Sequence, residues 1–206
     1  MYNVFGDFMY SIKDDIDNTI IIKKSKFITL LYKVDDINKI NQILNDLKNK
    51  YSDSTHICYA YIINGQEKAI DDGEPSGTAG IPILNVLKKN DLTNILAVVV
   101  RYFGGVKLGA GGLMRAYSNS VSDTLKLTNI VELTQGYLIE IEFTRDNLKL
   151  IDYMLNDKVI KEKIYDTNVI YRFYLTEDQL SFISELEKCC IHVSIFDKTL
   201  IEKNEI

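Results

Sequence analysis

Histidine and cysteine are the scarce residues of this sequence. His56 and His192 are its only histidines, and Cys58, Cys189 and Cys190 its only cysteines. An odd number of cysteines, two of them adjacent, argues against a disulfide framework. With only two histidines to join them they do not form a zinc site, and no metal or cofactor is expected. Long apolar runs are missing too, since none approaches the roughly 20 residues a membrane helix needs. The N-terminus lacks the basic-then-apolar form of a secretory signal. A cytoplasmic location without a membrane partner is therefore expected. Positive charge is not in excess: 24 Lys and Arg against 29 Asp and Glu give a net charge of −5, which argues against a generally basic nucleic-acid binder. The balance is uneven, however. Through Leu133 there are 15 cations and 15 acids, and beyond it 9 and 14, so any basic site in the first part must be local.

Several familiar active-site patterns are also absent. No glycine loop ends in Gly-Lys-Ser/Thr, none has the dinucleotide spacing with an acid further on, and no Gly-x-Ser-x-Gly nucleophile turn occurs. Cys58 follows His56 by two residues and shares its strand face, but no Ser, Cys or Thr stands in a recognisable nucleophile setting.

What is present is glycine, concentrated in one place. Five of residues 101–117 are glycine (Gly104, Gly105, Gly109, Gly111 and Gly112), set among the cations Arg101, Lys107 and Arg115. Upstream, residues 95–100 form an apolar run with no polar residue to give it a solvent face. Downstream, Leu113, Ala116, Tyr117, Val121 and Leu125 recur at helical spacing. Strand, glycine loop and helix start make a backbone suited to holding an anion, because the first helical N–H groups point outward unsatisfied. Arg101, Lys107 and Arg115 are candidate anion ligands, and Tyr102 and Phe103 candidate stacking platforms for bases. Tight turning and core packing explain the same residues without any ligand.

With 206 residues, 46% apolar and 26% charged, the chain has room for one large core or two small ones, domains usually running to roughly 100–150 residues. Residues 20–34 read as one or two strands after a lead-in over 1–19 that includes an early strand. Residues 36–50 read as a helix whose stripe is Ile37, Ile40, Ile43, Leu44 and Leu47, with Asp36 as its cap. Residues 56–63 and 66–71 read as strands joined by a turn at Asn64-Gly65. The polar segment Asp71, Asp72, Gly73, Glu74, Pro75, Ser76, Gly77, Thr78 follows. Its carboxylates either bind a divalent cation, or cap a helix starting near Thr78 and pair with Arg101 and Arg115. The second is the preferred reading, and these residues are taken as support for the loop. Pro82 sits early in that helix, which carries Ile83, Leu84, Val86 and Leu87. After a helix to about Leu127, the order is strand 136–144, helix 146–155, strands 158–165 and 169–175, helix 177–190 and strand 191–201. This βαββαβ order is the ferredoxin-like split motif.

The segment 71–80, the run 101–117, Ser25-Lys26-Phe27 and the strand 56–61 together resemble the YigZ/IMPACT family, the likeness covering about residues 20–127. Val100 departs from it, because the family usually places threonine before the arginine. The resemblance implies an α+β protein of two domains. Residues 1–132 would take the β-α fold shared by a ribosomal small-subunit protein (its second domain), the GHMP kinases and the fourth domain of elongation factor G. Residues 133–206 would form a ferredoxin-like domain like the last domain of that factor. Eukaryotic members are linked to control of translation under amino-acid stress, by competing for a kinase-activating scaffold. They carry an extra N-terminal partner-binding domain for which no room is expected here, so those partner roles are not carried over.

Two functions follow from this reading. In the first, the glycine loop binds RNA or ribosomal phosphate and the protein regulates translation without turnover, a protein partner being a further option. In the second, the same cleft, with His56, Asp72 and Glu74 as candidate catalytic groups, belongs to a small-molecule enzyme acting on a phosphorylated or acidic substrate.

Overall fold

The computed structural model describes residues 9–205. Their contacts fall into two compact units that divide between Val131 and Glu132. Both are mixtures of sheet and helix, so the chain is a two-unit α+β protein. Residues 1–8 of the expected lead-in lie outside the described residues; its early strand is present as β1 (Met9–Ile12).

The first unit is built on a five-stranded antiparallel sheet. Its strands are β2 (Ile16–Ile22), β3 (Ser25–Lys33), β4 (His56–Ile63), β5 (Gln66–Ile70) and β6 (Ile95–Tyr102), in the spatial order β2-β3-β6-β4-β5. Helix α1 (Ile37–Lys50) covers one face. Asp36 caps it as expected, accepting from the Asn38 N–H at 2.9 Å. Helices α2 (Gly80–Lys89) and α3 (Ala110–Leu125) belong to the core of the other face. This double covering explains the uniformly apolar β6. Leu96, Val98 and Val100 enter the core with Ile40, Leu44 and Leu47 of α1, while Ile95, Ala97 and Val99 pack with Ile83, Leu87, Tyr117 and Val121. Side chains alternate along a strand, so Arg101 points to the α2/α3 face. Its partners in the register, Phe27 on β3 and His56 on β4, share that face.

Two turns of the sheet have the same left-handed backbone. Asn64 and Gly65, between β4 and β5, have φ of 48° and 75°. This is the turn that the Asn-Gly pair predicts, because both central residues need positive φ. Lys23 and Lys24, between β2 and β3, have φ of 44° and 68° without any glycine.

The second unit contains β7 (Ile130–Phe143), α4 (Leu148–Met154), β8 (Ile160–Tyr165), β9 (Val169–Leu175), α5 (Ile183–Leu186) and β10 (His192–Glu202). Pairing places them in the order β10-β7-β9-β8. The core joins Ile139, Ile141, Phe143, Tyr171 and Phe173 to Ile151 and Leu155 from the first helical segment and Ile183 and Leu186 from the second. On the opposite face Arg172 bridges the strands, pairing with Glu140 at 2.6 Å and Glu162 at 2.5 Å.

Several boundaries differ from the sequence reading. The helix expected over 177–190 is a 3-10 segment, Glu177–Phe182, followed by a single turn of α5. A Thr176/Gln179 capping box holds its start. The helix expected from 146 likewise begins as a 3-10 turn, Arg145–Asn147. Strand β7 starts at Ile130 rather than 136. Gly136 is not its beginning but a point of close packing, where a Cβ would lie 2.4 Å from Ile201 Cδ1.

Candidate functional site

The loops at the C-terminal end of β6 bring the two motif segments together. The acidic segment folds back on its own backbone. The Asp71 carboxylate accepts from the N–H groups of Gly77 (2.7 Å), Ala79 (3.0 Å) and Gly80 (2.8 Å), so it caps α2 from outside the helix. Partial burial works against ionisation of Asp71, but these backbone donors outweigh it and hold the carboxyl below its usual range. Asp72, with φ of 44°, accepts from the Ile57 N–H at 2.6 Å, and Gly73 follows at φ 83°. The Pro75 carbonyl accepts from both the N–H and the hydroxyl of Thr78, which is buried, whereas Ser76 is exposed. Gly77 turns the chain at φ 75°.

Glu74 is the centre of a buried polar network. Its side chain is 3% exposed and forms an ion pair with Arg101 at 2.5 Å. It also accepts from the Tyr117 hydroxyl at 2.8 Å and lies 3.9 Å from His56 Nε2. His56 Nδ1 is hydrogen-bonded to the Asp72 carbonyl at 2.8 Å. The Cys58 thiol donates to the Asp71 carbonyl and faces the Tyr117 hydroxyl at 3.4 Å. Burial pushes that thiol up to about 12, with Glu74 and the two aspartates adding to the shift against the Tyr117 hydrogen bond. Burial first, and Cys58 and Glu74 after it, push the Tyr117 phenol far up as well. Tyr117 is thus a buried strut, packed edge-on against Phe27 with ring centroids 5.3 Å apart, and not a surface ligand.

Arg101 departs from the position the sequence suggested. It is 4% exposed, and its guanidinium lies over both the Phe27 and Phe103 rings, 5.4 and 5.5 Å from their centroids. One Nη is bound to Glu74, the other lies 3.4 Å from Ser25 Oγ, and Nε finds no protein acceptor. A guanidinium so enclosed is spent on the fold, because a buried charge must be paired. The expected pairing of the acidic segment with Arg101 is present. Pairing with Arg115 is not found among the described residues. The three carboxylates do not converge on one point; each is occupied by protein donors.

Of the glycine run, Gly105, Gly109 and Gly111 are exposed, and Gly104 and Gly112 partly buried. Gly105 (φ 82°) and Gly109 (φ 70°) turn the chain, and Gly109 stands as the N-cap of α3 with no side-chain hydrogen bond to the helix. No acid sits in the first turn of α3. Leu113 N–H bonds the Gly109 carbonyl, so the N–H groups of Ala110, Gly111 and Gly112 precede the first helical bond. Lys107 and Arg115 are exposed, and an Arg115 nitrogen comes within 3.7 Å of where a Gly111 Cβ would stand. Phe103 is 46% exposed, while Tyr102 is half-buried and donates to Asp53 at 2.8 Å.

Four residues outside the expected list complete the arrangement. Ser25 Oγ accepts from the Gly104 N–H at 3.1 Å, and Thr55 Oγ1 accepts from the Phe103 N–H at 3.0 Å. Gly104 lies so close to the β2–β3 turn that a Cβ there would sit 2.0 Å from the Lys24 carbonyl carbon. Exposed Lys23 and Lys24 therefore border the glycine loop. Ser25 was legible only as part of a motif; Thr55, Lys23 and Lys24 carried no local signal.

The Impact N-terminal domain family matches residues 23–125 of the chain. Over 181 residues the chain is 39% identical to the Bacillus subtilis protein called IMPACT family member YvyE, which covers 85% of this chain and 83% of that one. It is 39% identical over 110 residues to IMPACT family member YigZ of Escherichia coli, covering 51% of this chain and 54% of that one. A crystal structure of a hypothetical protein aligns with 97% of this chain and 100% of its own, with a TM-score of 0.65 at 27% identity.

Proposed function

The chain belongs to the YigZ/IMPACT family, and from that premise we propose that it is a non-catalytic, translation-associated regulator that binds RNA or ribosomal phosphate at the 101–117 loop. The family resemblance supports the link to translation. The observation that carries the phosphate site is the start of α3, where Gly109 offers no side-chain cap and exposed Lys107 and Arg115 stand beside it. Free N–H groups and two cations at a helix start suit a phosphate oxygen. Arg101 and Tyr117 act from below, holding the loop through Glu74.

The enzyme reading has less to support it. The Cys58 thiol is buried and pushed up to about 12. Glu74 is committed to Arg101 and Tyr117, and Asp72 to the Ile57 N–H. A base or nucleophile needs a free reacting atom. We assign residues 1–132 to the β-α fold of the second ribosomal-protein domain and residues 133–206 to the ferredoxin-like fold, the latter supported by the strand order β10-β7-β9-β8. A cytoplasmic site of action belongs to the same proposal.

The test is binding of the purified protein to RNA and to ribosomal subunits over a salt series, beside Lys107→Ala/Arg115→Ala. Arg101 is the wrong residue to replace, because its loss disturbs the fold. Binding that weakens steeply with salt and fails in the double variant supports the proposal. No binding at low salt by the unaltered protein ends it.

A further inference from the structure

The β2–β3 turn is built from the wrong residues for its geometry. Positive φ at both central positions selects Asn-Gly, and Asn64-Gly65 uses that pair for the same conformation one hairpin away. At the β2–β3 turn the chain instead carries Lys23 and Lys24, each strained by its Cβ. Residues held in a sparsely populated conformation where a relaxed pair is available point to a role beyond the turn. The turn is also fixed in place: Gly104 admits no Cβ against the Lys24 backbone, and Ser25 Oγ binds the Gly104 N–H. Two exposed lysines are thereby carried against Gly104, at the base of the loop that bears Lys107 and leads into α3 with Arg115. None of the four has a carboxylate partner among the described residues, so their charges are not spent on a neighbouring acid.

Phe103 lies on the same loop, half-exposed, with its ring supported from beneath by the Arg101 guanidinium. Arg101 is fixed in turn by Glu74 and Phe27. The ring is therefore a pre-set platform rather than a loose side chain. Resting on the reading of the loop as an RNA-phosphate site, we propose that Lys23 and Lys24 form a second phosphate-holding arm and Phe103 a base-stacking platform. The ligand is then single-stranded RNA. Only an unpaired base can leave its stack for an aromatic ring, while Lys23, Lys24 and Lys107 on two loops, with Arg115 on α3, follow a flexible backbone. Arg101 is a positioning residue for Phe103.

The experiment is fluorescence anisotropy with a labelled single-stranded oligoribonucleotide and the corresponding duplex, over a salt series. The proteins are the full chain and its Lys23→Asn/Lys24→Gly, Phe103→Ala and Lys107→Ala/Arg115→Ala variants. Lys23→Asn/Lys24→Gly raises Tm, since it relaxes the turn, yet lowers the salt slope by about 1.4 through loss of two single-strand phosphate contacts. Phe103→Ala weakens single-strand binding by about 5- to 150-fold and leaves duplex binding unchanged. A merely structural turn would gain stability with no change of slope, and that result overturns the proposed arm while Lys107 and Arg115 still bind. Equal binding of duplex and single strand, or indifference to Phe103→Ala, overturns the ligand class. No binding by the unaltered protein overturns both this proposal and the function it rests on.

Discussion

The sharpest prediction concerns Arg101→Met. The substitution keeps a flexible apolar chain against Phe27 and Phe103 but removes the charge facing Glu74. That carboxylate is 3% exposed and would keep the Tyr117 hydroxyl as its closest donor, with His56 Nε2 3.9 Å away. Breaking one side of a buried ion pair costs about 3–5 kcal/mol, because the remaining charge stays out of water uncompensated. Domains are stable by only about 5–15 kcal/mol, so the loss is a large part of the total. With a urea slope of about 2 kcal/mol per molar, the unfolding midpoint followed by circular dichroism falls by about 1.5–2.5 M. Adding Glu74→Gln should restore much of it, since the uncharged amide keeps an oxygen for Tyr117 without leaving a charge behind. A loss under about 1 kcal/mol for Arg101→Met would refute the reasoning. Arg101 would then be solvated in solution and free to meet an anion directly.

Asp71→Asn should cost about 1–3 kcal/mol at neutral pH, because the amide NH2 faces backbone donors that one of the two carboxylate oxygens had satisfied. The folded carboxyl lies below its ordinary value of 3.8. Its stabilisation is therefore present above that pH and is lost as pH falls through the folded value, so acid titration of stability below pH 4 should be flatter in the variant. Gly104→Ala forces a methyl into the Lys24 backbone. It should cost about 1–3 kcal/mol by overpacking and abolish any RNA binding, read by thermal unfolding and anisotropy. Cys58, buried with its thiol at about 12, should resist iodoacetamide at pH 8 in the native protein and react fully in urea; rapid native labelling would expose a nucleophile after all.

Local pattern carried much of the fold. The α1 stripe, its Asp36 cap and the Asn64-Gly65 turn could be read because each signal lies within a few residues. The apolar β6 could be read as a strand, but not which face each residue took, since that depends on helices brought in from either side. The site was legible as a location more than as a set of roles. Glu74 and Arg101 are 27 positions apart, and whether such a charge pairs or meets solvent is decided by burial. The Lys23–Lys24 turn was hidden for the opposite reason. Its residues are the ones turn propensity disfavours, so the reading left open whether residues 20–34 were one strand or two.

Strand β10 has a register shift whose effect reaches beyond its own residues. Ile195 pairs with Ile139 and Lys198 with Tyr137, so β10 spends three steps where β7 spends two. The surplus residue reverses which side of the ribbon every later side chain takes. Ile201, pressed toward Gly136, owes its placement to that odd count. Losing Asp197 would remove the surplus step and leave Ile201 opposite Thr134, whereas losing Thr199, outside the bulge, would turn Leu200 to the face where Ile201 belongs and Ile201 away from it. In this stretch the number of residues is itself a constraint on the fold, one that exchange of side chains cannot test and a single-codon deletion can.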